Sequence, residues 1–269
     1  MSIRRDPVNG RQKEIPDMAP ARTEENEFDV SIQEVPVTVQ RRPFISRKRD
    51  ALKDPGTPRA NIAASAEEPN GTQKGDYARR YKHQTVLQQH LSYFDPDADG
   101  IIWPLDTYRG FYALGYGVLL SLLSLIIIHA NFSYPTLPPG HFLPDPFFRI
   151  YIARVHKDKH GSDSGTYDTE GRFVPQKFED IFAKYATGDK LGITLGEVWN
   201  YMKGQRLYAD PAGWGAAGFE WIATWILLWP EDGRMKKEDI RRIYDGSLFF
   251  EIAARRGEKQ NGQQKVNGV

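Results

Sequence analysis

From Phe111 to Ala130 the chain reads FYALGYGVLLSLLSLIIIHA, without a single Asp, Glu, Lys or Arg. As one helix this run would reach roughly 30 Å, the thickness of a bilayer core. Helices in water seldom stay uncharged over such a length, because one face must meet solvent. The C-terminal flank is not that of a plain crossing. Pro135, Pro138, Pro139, Pro144 and Pro146, with Gly140 among them, crowd the next stretch, and proline ends helices and fixes turns. Tyr134 to Phe148 stays mostly apolar. The expectation is a membrane-embedded apolar hairpin over 111–148 that enters lipid, turns at the prolines and returns. Open backbone groups are costly in hydrocarbon, and a shallow site such as a phospholipid monolayer lessens that cost.

Residues 147–160, FFRIYIARVHKDKH, mix apolar and basic positions and suit either an interfacial helix with its cations near headgroups or simple packing on a soluble core. Residues 149–256 read as a helical C-terminal domain. Within it, Gly213–Trp229 is a second apolar stretch with Glu220 in its middle, and Trp214, Trp221 and Trp225 recur at helical spacing. Such a stripe more often packs a core than anchors in a membrane. The tail, 257–269, is polar and expected to be flexible.

Residues 1–76 mix charges and prolines, with only Phe28 and Phe44 aromatic. Too little apolar area is available there to offset ordering entropy, so the region is expected to be disordered. Its basic cluster, Arg41 to Lys53, fits a solvated tail, an anionic lipid surface or a nuclear signal. The start, Met-Ser-Ile-Arg-Arg-Asp-Pro, has no apolar run behind it and is not a secretory signal, so the cytosolic side is expected. A net charge of +1 argues against nucleic acid as a partner. With no cysteine, disulfides, thiolate catalysis, zinc thiolates and iron–sulfur clusters are excluded.

The strongest motif lies just before the apolar run, in a unit spanning 77–110. Residues 79–94 read as a helix, with Val86, Leu87, His90, Leu91 and Phe94 near one face. Next comes Asp95-Pro-Asp-Ala-Asp-Gly-Ile-Ile-Trp-Pro-Leu-Asp106. A calcium-binding EF-hand loop needs oxygen donors at positions 1, 3, 5, 7 and 12 and a glycine at 6. Asp95, Asp97, Asp99, the Ile101 carbonyl and Asp106 fill the donor positions, and Gly100 makes the turn. Asp106 replaces the usual glutamate, and its shorter arm predicts weaker calcium affinity or more magnesium character. Three degenerate loops can be placed downstream with Phe173, Ile193 and Met235 at the packing position 8. None has a full ligand set. Paired EF-hand-like units and ordinary helical hairpins are both open for the C-terminal half.

Of the six histidines, His83, His90, His129, His141, His156 and His160, none is a ligand on composition alone. His156 and His160 are four apart, which a helix would bring to one face, but two histidines without a third donor are a weak metal signal.

Several blocks together resemble the caleosins: LQQHLSYFDPDADGIIWPLDTYRGF at 88–111, the apolar segment, the proline cluster, RVHKDKHGSDSGTYDTEGRF at 154–173 and EDIRRIYDGSLFF at 238–250. The resemblance covers roughly residues 80–256. It implies a mainly α fold with one EF-hand unit and a central hairpin closed by a proline knot. It also implies residence on lipid droplets and the endoplasmic reticulum, on their cytosolic face. The activity implied is a calcium-dependent haem peroxygenase, which moves an oxygen from a fatty-acid hydroperoxide to an unsaturated fatty acid or other acceptor. The implied cofactors are haem b and calcium. The histidines implied for haem iron and catalysis match His90, in the Gln-Gln-His block, and His160, in the Lys-His-Gly-Ser-Asp block; His156 is the nearby competitor. Either both bind iron and one leaves to admit peroxide, or one is proximal and the other a distal acid–base.

The chain departs from the family pattern in places. Asp145 stands where serine is usual in the knot, and Arg149 where its last proline is usual. One extra residue separates Pro139 from Pro144. A non-catalytic, calcium-binding droplet coat or tether, with purely structural histidines, is the rival expectation. An oligomer is compatible with either.

Overall fold

The computed structural model describes residues 61–267, with side chains to 259. The basic cluster and the region before residue 61 lie outside the described residues. Among these the architecture is mainly helical, with two short two-stranded sheets and one isolated β-bridge.

Helix α1 spans Tyr77–Tyr81 and α2 spans Val86–Leu91. The single helix expected over 79–94 is interrupted because Thr85 starts a new one. Its Oγ1 accepts the Gln88 N–H at 3.3 Å, and Gln88 Oε1 accepts the Thr85 N–H at 2.9 Å. That reciprocal cap satisfies two donors that a helix start leaves open. A 3-10 turn, Ser92–Phe94, leads to the acidic loop, β1 (Ile101–Ile102) and α3 (Pro104–Leu114).

The uncharged run does not form one helix. Gly115 adopts φ 102° and ends α3; its N–H donates to the Phe111 and Tyr112 carbonyls at 3.1 and 3.0 Å. A left-handed residue of this kind closes a helix at little cost only when it is glycine. Helix α4 then runs Gly117–Phe132, 16 residues. No helix among the described residues is long and apolar enough to cross a membrane. The chain reverses at Gly115 and Tyr116, between α3 and α4, and not at the prolines as expected; the prolines form turns beyond α4. His129 fastens α3, α4 and those turns together. One ring nitrogen, Nε2, is 2.7 Å from Thr107 Oγ1 on α3, and Nδ1 is 2.6 Å from the Phe148 carbonyl past the prolines. The interfacial helix expected over 147–160 is instead β2 (Ile150–Tyr151) and a 3-10 segment, Ile152–Asp158.

The C-terminal half comprises α5 (Pro175–Tyr185), β3 (Gly192–Ile193), α6 (Leu195–Gln205), α7 (Pro211–Leu228), β4 (Met235–Lys236), α8 (Lys237–Tyr244) and α9 (Ser247–Asn267). Strand β3 pairs antiparallel with β4, Ile193 opposite Met235, two of the three residues placed at position 8 of the degenerate loops. Phe173 behaves differently: it bridges Tyr167 within its own turn. Strand β1 pairs instead with β2, Ile102 opposite Ile150, a partner the sequence did not point to. Each pair anchors one core. Phe173, Phe178, Phe182, Ile193, Trp221 and Met235 belong to the larger. Phe94, Ile102, Leu114, Ile150, Ile152 and Phe249 form the smaller.

Two terminal expectations are corrected. Residues 61–76, grouped with the disordered N-terminal region, are folded onto α8 and α9. The buried Arg241 guanidinium donates to the Ala63 carbonyl at 2.6 Å and to Thr72 Oγ1 at 3.0 Å. Low apolar content concealed this because the docking is polar. The tail expected to be flexible from Gly257 continues α9 to Asn267, since Glu, Lys and Gln propagate a helix already begun.

Candidate functional site

Around the acidic loop, the carboxylates of Asp95, Asp97 and Asp99 offer oxygens within 4.8 Å of one another. The loop is held by its own side chains. Asp95 accepts the Asp99 and Gly100 N–H groups at 3.2 and 2.9 Å, and Asp99 accepts the Ile101 N–H at 2.7 Å. Gly100, at φ 82°, makes the turn. Burial pushes the Asp95 carboxyl above its ordinary range, and the neighbouring Asp97 and Asp99 add to that. Three acids gathered around one point favour an incoming cation for the same reason. Ile101 begins β1. Asp106 does not join the three within that distance. It sits in the first turn of α3, its Oδ2 accepting the Trp103 N–H at 3.1 Å.

His90 lies on α2. Its Nδ1 is 2.7 Å from the Ile243 carbonyl, which as an N–H donor fixes the tautomer and leaves Nε2 with its lone pair. Phe249 meets the ring edge-on with centroids 5.1 Å apart. Burial lowers the affinity of this imidazole for a second proton, outweighing the Ile243 carbonyl.

His160 lies just beyond the 3-10 segment, which ends at Asp158. His156 lies inside that segment, so the two do not share an α-helical face as a continuous helix would have required. The Nε2 of His160 faces Glu220 Oε1 of α7 at 3.9 Å, while Nδ1 is buried with no partner among the described residues. The Glu220 carboxylate raises the affinity of the ring for a proton, and its charge bears on His90 as well. Arg154 Nε is likewise buried without a partner among the described residues.

Hydroxyls line the neighbourhood. Tyr244 Oη and Ser164 Oγ are 3.0 Å apart, and Tyr167 Oη donates to the Tyr244 carbonyl at 2.6 Å. Burial pushes the Tyr244 phenol up to about 12. Neither tyrosine stands out in the sequence. Glu220 is visible there as the lone carboxylate of an apolar run, but its role needs the position of His160.

A family model described as caleosin related protein matches residues 82–253. The chain belongs to the caleosin family. It is 38% identical to a peroxygenase of Lilium longiflorum over 84% of this chain and 92% of that protein. It is 39% identical to probable peroxygenase 4 of Arabidopsis thaliana, over 66% of this chain and 90% of the relative. A probable inactive peroxygenase-like protein of the same plant is 31% identical over 58% of this chain and 74% of its own length. No solved structure matches the chain.

Proposed function

We propose that this caleosin is a calcium-dependent haem peroxygenase. It transfers oxygen from fatty-acid hydroperoxides to unsaturated lipids or other acceptors, on the cytosolic face of lipid droplets and the endoplasmic reticulum. Its similarity to two relatives named peroxygenases over most of the chain supports the activity.

The observation that carries the haem reading is the pair of half-used imidazoles. His90 has Nδ1 taken by a backbone carbonyl and Nε2 free; His160 has a buried nitrogen without a partner. Histidine is the natural axial donor in a chain without cysteine, so the donors present fit the group. Haem held there would supply the chemistry for hydroperoxide O–O cleavage and oxygen transfer to the acceptor. The protein does the rest. The Ile243 carbonyl orients His90, Phe249 shields its ring from water, and His160 either ligates or handles the proton that O–O cleavage requires. Calcium at Asp95, Asp97, Asp99, the Ile101 carbonyl and Asp106 would fix the loop that comes after the helix carrying His90.

An absorption spectrum of the detergent-purified protein tests this reading, beside His90→Ala and His160→Ala. A Soret band that either change removes is the expected result. A well-folded, haem-supplemented protein without the band would favour the non-catalytic droplet-coat reading.

A further inference from the structure

Helix α7 is two-sided, but not in the way of a helix in water. Gly213, Ala217 and Trp221, four residues apart, are buried. Ala212, Gly215, Phe219 and Ile222, at steps of three and four residues, are exposed and form another face. That face holds no charged, hydroxyl or amide side chain. Glu220 and Thr224 are the charged and hydroxyl residues of the helix, and both lie about 160° round it from Ile222. Thr224 turns its hydroxyl back on its own helix, donating to the Glu220 carbonyl at 2.8 Å, a bond that needs no water. Glu220 looks toward His160, with Oε1 at 3.9 Å from Nε2. A helix packed on one side normally gives its other side polar residues to meet solvent.

A second helix built the same way adjoins it. Helix α4 turns Leu119, Leu122, Leu123 and Ile126 outward and buries Ser121, whose hydroxyl donates to its own helix at the Gly117 carbonyl, 2.6 Å away. Tyr116, in the turn that starts α4, donates its hydroxyl to the Ala223 carbonyl in the middle of α7 at 2.8 Å. Leu227, one turn further along α7, packs on the smaller core, as do Tyr116 and Ile128. The exposed Val118 and Leu119 therefore begin beside α7. Tryptophans mark the two ends of α7. The Arg206 guanidinium lies 5.4 Å from the Trp214 ring centre, and Trp229, 71% exposed, closes the helix. Tryptophan and arginine beside an apolar helix face are what the headgroup level of a membrane favours.

We propose that α7 is a second lipid-contacting helix, its Phe219 and Ile222 face lying with α4 on one phospholipid surface. This rests on the membrane location proposed above. Two observations select lipid over a protein partner. The face is continuous with the leucine face of α4 through the Tyr116 contact. Protein interfaces also carry roughly one hydrogen bond per 100–200 Å², and Ala212, Gly215, Phe219 and Ile222 offer no side chain to make one. Hydrocarbon asks for none, since the backbone groups of α7 are satisfied within the helix.

The chain has no cysteine, so a single introduced cysteine reports on one position. Phe219→Cys, Ile222→Cys, Leu119→Cys and Ala183→Cys, the last at an exposed position of α5, are made in the full chain. Each is labelled with a nitroxide and bound to phosphatidylcholine vesicles. Collision with oxygen, which concentrates in lipid, is compared with collision with a water-soluble nickel chelate. The Phe219 and Ile222 labels are expected to favour oxygen as the Leu119 label does, and the Ala183 label to favour nickel. Phe219→Asp combined with Ile222→Asp should weaken vesicle binding at least about tenfold, with circular dichroism as the check on folding. If the Leu119 label reports lipid while the Phe219 and Ile222 labels report water, only the α7 assignment falls. Spin–spin broadening between copies at Phe219→Cys, without oxygen preference, gives the face to a second copy of the chain and overturns it equally. A parent that does not bind vesicles overturns the membrane location itself.

Discussion

Asp145 and Arg149, the two departures from the family's proline-knot pattern, bind each other. The Asp145 carboxylate accepts Arg149 Nε at 2.7 Å and Nη2 at 3.3 Å, and also the N–H groups of Phe147 and Arg149 at 3.1 and 3.2 Å. Burial alone would raise this carboxyl, but the guanidinium and the two amides hold it below its ordinary range. The Arg149 guanidinium also lies 5.2 Å from the Trp103 ring, at the edge of the acidic loop. A turn that proline would fix covalently is fixed here by an ion pair.

Breaking one half should therefore cost more than replacing both. Arg149→Ala leaves a buried carboxylate with fewer partners and is expected to destabilise by about 3 kcal/mol. Asp145→Ser combined with Arg149→Pro should cost clearly less than the sum of the single changes. Chemical denaturation of the four proteins gives the coupling. Strict additivity would mean the pair does not close the turn.

How far the sequence is legible depends on the kind of interaction involved. The acidic loop is readable because it depends on fixed local spacing, whereas the sequence marks Ile193 and Met235 only as candidate packing positions and leaves their pairing open. The break at Gly115 is not readable, since an uncharged run hides a helix end whose cause lies partly in α9. A Cβ there would come within 2.3 Å of the Arg256 guanidinium. The pairing of Ile102 with Ile150 spans the whole apolar insertion, beyond the reach of local pattern. His90 and His160 come from family blocks. Which nitrogen of each is free depends on Ile243 and Glu220, both far away in the chain.

The acidic loop should bind one calcium. Asp97→Ala is expected to weaken it roughly tenfold or more, and Asp106→Glu to tighten it and favour calcium over magnesium. The loop between α5 and α6 should take none, because Arg234 from the neighbouring unit already reaches Asp189 Oδ1 at 2.7 Å and the Gly192 carbonyl at 3.1 Å. Calorimetry of the parent and Asp97→Ala decides: full binding retained in the variant would place the ion elsewhere.

The segment 61–76 should be part of the stable fold. Arg241 is 1% exposed and ties Ala63 and Thr72 to Glu238 and to the buried Asp245. Arg241→Ala takes the cation from beside Asp245, which keeps Thr72 Oγ1 and the Ser247 N–H as donors, and is expected to cost about 3 kcal/mol. Limited proteolysis should then open the chain before Tyr77. Resistance equal to parent would show that the segment is held by other contacts.

Glu251 gives the pH dependence a sign. Arg242 at 2.7 Å, then Lys74 at 3.0 Å, lower its carboxyl from 4.5 to about 2. A carboxyl lowered on folding stabilises above its unfolded value and loses that contribution as pH falls through the folded one. Lys74 is largely exposed, so screening leaves on the order of 1 kcal/mol. Glu251→Gln should be less stable than parent by that amount at pH 7. The difference should fade below pH 4.5 and vanish near pH 2. A constant difference across that range would remove Glu251 from the account.

Helix α4 has its polarity reversed for a helix in water. It buries Ser121 and His129 and turns Leu119, Leu122, Leu123 and Ile126 outward, with Leu119 77% exposed. Phe142 and Leu143, in the turns beyond, are 83% and 82% exposed. Apolar surface so arranged is expected to sit in lipid rather than solvent. Each such side chain contributes about 1.5–3 kcal/mol when buried. The pair Leu119→Glu and Phe142→Glu should therefore lower partition onto phospholipid-coated oil droplets by at least roughly 100-fold. Both positions are exposed, so the fold and the calcium loop should be unaffected, as circular dichroism and calcium titration would show. Droplet binding equal to parent in a folded double variant would mean that α4 and the turns are not the lipid-facing surface. The exposed apolar face of α7, where Phe219 and Ile222 are each 55% exposed, would then be the surface to change next.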